Sequence, residues 1–228
     1  MKMDQTTNQT VRWTKQDWIL LVVNAVIFGV IFLLFNHQLP DVVGSHYNIR
    51  GEQDGTMAKS SMWLVYAGIG IALPVFLSVI RNVDPRRENY ARFSGYYMLI
   101  RWTVSLFIHG AFVLMILQNL DYDLPFVNIV IGGLGVMWMI IGNRMGQVRS
   151  NFFVGIKTPW AISDENNWRR THRIGARLWF IAGVLMLLGA CLLPAKWLVA
   201  VLGVGIVVSV VIPYLYSYLL YAGAKRKS

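Results

Sequence analysis

The chain has 228 residues, of which 56% are hydrophobic and 14% charged, against about 45 to 50% and about 25% in an ordinary soluble domain. That much apolar surface cannot be hidden in a core of this size, so the composition argues against a water-soluble domain and for lipid as the solvent. The net charge of +10 would suit a nucleic-acid binder, but the basic residues lie between apolar runs and leave no basic face free of membrane, so no direct nucleic-acid role is expected.

Six runs lack Asp, Glu, Lys and Arg: 18–35, 61–80, 102–117, 126–141, 178–193 and 197–218. The third, fourth and fifth are at or just below the roughly 17 to 25 residues a spanning helix needs. They must borrow flanking residues such as 96–101, with Arg101 snorkelling toward the headgroups. The first run is not expected to be a cleavable signal, because no compact basic region precedes it and no small-x-small site follows Phe35. Trp18, Trp63, Trp102, Trp179 and Trp197 fall near run ends, where an amphipathic ring prefers the interface. Pro74 and Pro213 lie inside runs two and six, where neighbouring helices can compensate a lost hydrogen bond. Gly132, Gly133 and Gly135, Gly142 and Gly146, and Gly205 with Ser209 place small residues where helices approach closely, a weak argument for dimerisation. The fold class expected is an all-α polytopic bundle of six transmembrane helices.

Of the 21 basic residues, all but Arg50, Lys59 and Lys196 precede run one, separate runs two and three or four and five, or end the chain. The positive-inside rule then puts both termini in the cytoplasm. The opposite loops are comparatively acidic, with Asp41, Glu52, Asp54, Asp121 and Asp123. Two membrane halves are expected: 1–120, with a turn-rich outer loop at 36–60, and 121–228, with a cytoplasmic amphipathic segment at 143–177. The single Cys191 forbids an intrachain disulfide.

The outer loop is dense in turn formers around Pro40, Asn48, Gly51 and Asp54, which predicts a compact hydrogen-bonded cap. His37, Asp41, His46, Glu52 and Asp54 offer nitrogen and oxygen atoms, but their spacing matches no metal signature, so no metal is assigned.

The inner segment 151–177, NFFVGIKTPWAISDENNWRRTHRIGAR, is the specialised part of the chain. Pro159 should hold Thr158 extended. A helix is expected to start with Ser163 as N-cap and Asp164 and Glu165 in its first turn. Trp168, His172, Gly175 and Trp179 would share one stripe of that helix, and Arg169, Arg173 and Arg177 another. Phe152, Phe153 and Trp160 would anchor the preceding stretch at the interface. Physics alone leaves two readings open: an elbow that only orients the bundle, or a docking or gating surface.

Asn151, Gly155, Lys157, Thr158, Pro159 and Trp160, followed by Ser163, Trp168, Thr171, His172 and Arg173, resemble the signature of the SdpI family of membrane immunity proteins. Pro40, His46, Asn48, Gly51 and Asp54 are similar to a domain of unknown function that commonly forms the N-terminal half of these proteins. Two departures are visible: Lys157 where the family usually has arginine, and Gly44 where it has proline. The first keeps the charge but loses bidentate geometry. The second loosens the cap. The resemblance implies an integral plasma-membrane protein that protects the cell from a secreted antimicrobial peptide toxin. It also implies signalling, by holding a soluble repressor at the inner face. No cofactor is implied.

A small-solute or ion transporter is the alternative, with Asn24, His109 and Asn128 in or beside spans. An enzyme is not expected, since no GxSxG, HExxH or P-loop pattern is present and His46 and His172 would lie on opposite sides of the membrane.

Overall fold

The computed structural model describes residues 13–48 and 50–226. Lys2, Arg12 and Lys227, part of the basic clusters above, lie outside the described residues. Among the described residues six helices are long and apolar enough to cross a membrane: α1 (Lys15–Phe35), α2 (Lys59–Val83), α3 (Arg87–Asn119), α4 (Phe126–Gln147), α6 (Glu165–Leu192) and α7 (Ala195–Lys225). The short α5 (Pro159–Ser163) precedes α6. Leu33, Leu64 and Leu192 point outward, each at least 74% exposed, as expected for helices whose outer faces meet lipid. The protein is a multi-pass membrane bundle.

The loops after α2 and α4 and the two ends of the described chain share one end of the bundle, called here the basic end. At the opposite end, the loop between α1 and α2 is more ordered than a turn-rich cap. It forms an antiparallel β-hairpin of β1 (Val42–Tyr47) and β2 (Gln53–Ala58), with register irregularities on either side of His46. The all-α class therefore holds for the membrane body, and the strands are an addition to it. Val43 and Leu39 drive into a buried cluster with Ile31, Met62, Trp63 and Ile116, which fastens the hairpin to α1, α2 and α3.

The two span prolines have a common local solution. A π-helical turn at Gly68–Ala72 precedes Pro74, and another at Val207–Val211 precedes Pro213. Each widens the helix just where the ring removes a backbone donor. Each proline is followed four residues later by a buried serine, Ser78 and Ser217.

The closest helix contact is between α4 and α6. A Cβ on Gly183 would stand 2.5 Å from the Gly135 carbonyl oxygen, one on Gly135 2.7 Å from the Gly183 oxygen, and one on Gly142 2.7 Å from the Phe180 nitrogen. Gly205 likewise receives Met186 of α6. The small residues thus serve packing within the chain. Gly133 lies against Phe107 of α3 and Gly146 has only the Cα of Arg173 at 4.0 Å.

Candidate functional site

The motif segment is built outward from Asn151. Its side chain is fully buried, and Oδ1 accepts from the amides of Phe153 (2.9 Å) and Val154 (2.6 Å). Its Nδ2 donates to the carbonyls of Arg149 and Val154. One side chain thereby satisfies a whole turn of backbone that no helix or strand could serve. Gly155 follows with φ of +108°, in the left-handed region that favours glycine. Thr158 is extended, as expected before proline, and its hydroxyl caps α5 by accepting from Ala161 N at 3.0 Å. The start of the long helix differs from expectation. Ser163 ends α5, and Asp164 caps α6 by accepting from Asn166 N at 2.8 Å, because Pro159 begins a separate helical turn first.

From Glu165 to Leu192 the helix is continuous, and the two expected stripes separate cleanly. Trp168, His172 and Gly175 are buried, while Arg169, Arg173 and Arg177 are exposed. Trp168 donates from Nε1 to the Val148 carbonyl at 2.9 Å, tying the loop to the helix. Its ring stacks on His172 with centroids 4.1 Å apart. His172 Nδ1 lies 2.8 Å from the Trp168 carbonyl, and Nε2 accepts from Ile156 N at 2.9 Å. A carbonyl can only accept, so the proton is on Nδ1 and the imidazole is neutral. A Cβ on Gly155 would sit 2.3 Å from His172 Nε2. Gly155 is therefore required twice, by its backbone angle and by the ring beside it.

A second buried network joins the segment to α7. Asn167 Oδ1 accepts from Thr171 (3.0 Å) and Ser217 (2.8 Å), Asn167 Nδ2 donates to the Ser217 carbonyl, and Thr158 Oγ1 lies 2.5 Å from Ser217 Oγ. Trp160 packs against Tyr214, Tyr218 and Tyr221 of the same helix. The motif residues Asn151, Thr158, Trp168, Thr171 and His172 thus form one satisfied knot. Lys157, Pro159, Ser163 and Arg173 are on its surface, with Phe152 and Phe153 also exposed. Lys157 makes no hydrogen bond or ion pair among the described residues.

The loop between α2 and α3 completes the platform, and sequence reasoning passed over it. Asp84 is buried, and its Oδ2 accepts from Phe152 N (2.9 Å) and the Tyr90 hydroxyl (3.0 Å). Arg86 bonds the Ser150 hydroxyl and the Ile162 carbonyl, and its guanidinium lies 5.0 Å from the Phe152 ring centroid. Asn89 donates to the Ser150 carbonyl at 2.7 Å. Asp84 and Arg86 flank Pro85 in a segment that otherwise reads as a charged, solvated turn. Their partners in the motif segment, Phe152, Ser150 and Ile162, are more than 60 residues away, so no local signal marks those contacts.

At the hairpin end, Asn48 Oδ1 accepts from the amides of Arg50 and Glu52, and Gly51 has φ of +81°, so the expected turn roles hold. Asp54 instead pairs with His46 Nδ1 at 2.5 Å across the strands. Asp41 faces Lys59 at 3.3 Å, and Glu52 accepts from Asn48. Among the described residues no three His, Cys, Asp or Glu side chains gather as a metal site. Pro40 leads into β1, and Gly44 takes a role proline could not fill, because its amide donates to Asn119 Oδ1 at 2.6 Å. Tyr47 stacks near Phe126, and burial pushes its hydroxyl pKa up, partly offset by the hydrogen bond from Asn119.

Inside the membrane body the structure corrects the snorkelling role of Arg101. The side chain is fully buried, and its guanidinium lies 2.8 Å from Asp17 Oδ1. Asp17 Oδ2 takes the amide and hydroxyl of Thr14, at 2.7 Å each, and Arg81. A carboxylate from the first turn of α1 holds the guanidinium inside the bundle instead. One turn deeper, Ser105 donates to Asn24 Oδ1, His109 Nε2 lies 2.8 Å from the same oxygen, and the Tyr66 hydroxyl is 2.7 Å from His109 Nδ1. Arg101, Ser105 and His109 share one face of α3 at four-residue spacing. Asn128 is elsewhere, donating to the carbonyls of Ala190 and Leu193.

Comparison with known proteins bears on the same segment. Over 107 residues the chain is 26% identical to the immunity protein SdpI of Bacillus subtilis (strain 168), an alignment covering 46% of this chain and 51% of that protein. The chain thus spans about half the length of the curated relative it matches. No solved structure matches it. Residues 147–217 match the model of the SdpI/YfhL protein family, and they include the loop, the Trp168 and His172 stripe and the Ser217 partner of Thr158. Through this region the chain is similar to the SdpI/YfhL family.

Proposed function

We propose that the protein is a membrane immunity protein that protects its cell from a secreted antimicrobial peptide toxin. The observation that carries this reading is the similarity to an immunity protein, together with the family match over residues 147–217, where the buried knot is built. In this proposal both termini and the basic end face the cytoplasm, in keeping with the positive-inside rule, and the hairpin faces the exterior. The N-terminal half, 1–120, would present the hairpin to an arriving peptide, and the half 121–228 would present the platform. Asp121 and Asp123 are exposed, and with Asp41, Glu52 and Asp54 they supply a negative field suited to a cationic peptide. Lys157, Arg169, Arg173 and the outward Phe152 and Phe153 offer a mixed basic and aromatic surface where a soluble repressor would dock at the inner face. The knot's part is positional: it fixes the loop that carries Lys157 and Phe152.

Expression in a toxin-sensitive strain, with survival scored against a panel of peptide toxins, tests the reading. Protection against at least one peptide is expected. Sensitivity to all of them at normal membrane levels of the protein would overturn it. Transport is the second reading, favoured by the Tyr66, His109, Asn24 and Ser105 chain between spans. That chain is closed by its own hydrogen bonds: Asn24 Oδ1 takes the His109 Nε2 proton, leaving Nδ1 to accept from Tyr66. Solute or ion flux into vesicles bearing the purified protein would be its evidence.

A further inference from the structure

Between the first turn of α1, the end of α2 and the start of α3 lies a cleft of about 730 Å³ at the basic end, and the immunity reading does not use it. Arg81, Arg87 and Arg101 line it, with Thr14, Ser94 and one acid, Glu88. Arg101 is fully buried, yet its Nε makes no hydrogen bond among the described residues. A guanidinium has five donors in a fixed fork, and a buried one left partly unsatisfied is costly. The charge count points the same way. The Asp17 carboxylate stands between two guanidinium groups, Arg81 and Arg101, so the triad keeps one positive charge in a low-dielectric setting. Asp84, the other buried acid among the described residues, already accepts from Arg86 N, Tyr90 and Phe152 N. Among the described residues Glu88 is the one other acid at the cleft, and Arg101 Nε is left without an acceptor.

We propose that this cleft is a binding site for a phosphate group, supplied by the headgroup of an anionic phospholipid in the adjoining leaflet. The site is at the right level, since Thr14, Arg81 and Arg87 sit at the ends of three spanning helices, where headgroups begin. Phosphate matches the chemistry, because two oxygens can face the Arg81 and Arg87 forks while the group neutralises the excess charge over Asp17. The exposed stripe of Arg169, Arg173 and Arg177 would attract anionic lipid without selecting a pose. The cleft differs by having one arginine locked at its floor.

The test uses the purified full chain in detergent. Its melting temperature is followed against short-chain phosphatidylglycerol, phosphatidylcholine of the same chain length, and inorganic phosphate. Saturable stabilisation by phosphatidylglycerol and none by phosphatidylcholine is expected. Arg87→Gln, whose side chain is exposed and outside the triad, should weaken apparent affinity about tenfold. Arg173→Gln should leave it unchanged. Saturation by inorganic phosphate, lost in Arg87→Gln, would support the site and make its source a soluble phosphate. Stabilisation that does not saturate, or that falls equally in Arg87→Gln and Arg173→Gln, would overturn the proposal. Because the readout is lipid binding, it can fail while toxin protection persists, and the reverse.

Discussion

Gly155→Ala should damage the motif platform more than any other single methyl added to it. The backbone there has φ of +108°, and holding a non-glycine residue in such a region costs about 1 to 3 kcal/mol. The new methyl would also lie 2.3 Å from His172 Nε2. The ring cannot yield, because it is fully buried, stacked on Trp168 and bonded to the Trp168 carbonyl. The bond from Ile156 N must then break, leaving a buried acceptor unpaired at about 1 to 3 kcal/mol. Together the two effects amount to about 2 to 6 kcal/mol, enough to lower the melting temperature of the purified protein by at least about 5 °C. A double-mutant cycle separates them. In a His172→Ala background the space opens and the bond is already gone, so Gly155→Ala should cost only its backbone strain. A coupling of at least about 1 kcal/mol is expected between the two positions. Additive losses in the double variant, or an unchanged melting temperature in Gly155→Ala, would refute the claim that glycine is there for the histidine.

Further outcomes follow from other contacts. Gly183→Ala places a methyl 2.5 Å from the Gly135 carbonyl oxygen, so α4 and α6 must part, at about 1 to 3 kcal/mol, and detergent melting should fall accordingly. Trp168→Ala and His172→Ala are expected to abolish protection while the protein still inserts, measured as survival normalised to membrane level. Normal protection by both would return the helix to an orienting role. Replacing Asp41, Glu52, Asp54, Asp121 and Asp123 together by Asn and Gln should weaken protection against a cationic toxin, with a smaller effect at high salt. Unchanged resistance would remove electrostatic capture from the picture. In a Cys191→Ser background, Ser45→Cys should react with an impermeant reagent on intact cells and Ser163→Cys should not. The reverse pattern would invert the proposed topology.

The single-residue signals were legible where the physics is local. Six uncharged runs of sufficient length demand six helices in lipid, whatever their neighbours. The four-residue spacing from Trp168 to His172 puts both on one stripe, and Pro159 by itself holds Thr158 extended. Gly51 and Asn48 likewise declared a turn, although the strands around it were hidden by a sequence rich in polar residues and glycine.

What only the tertiary structure decided depends on partners distant in the chain. Arg101 looks like any arginine at a span edge until Asp17, 84 residues earlier, is brought against it by the pairing of α1 with α3. Asp84 and Arg86 become ligands of the motif loop only because α2 and α4 end on the same side of the bundle. Gly155 shows its purpose only when His172 is set beside it. Burial in lipid dictates which segments must be helical, since every backbone group has to be paired there. Which side chains then meet depends on the close approach of helices, and hydropathy carries no record of that.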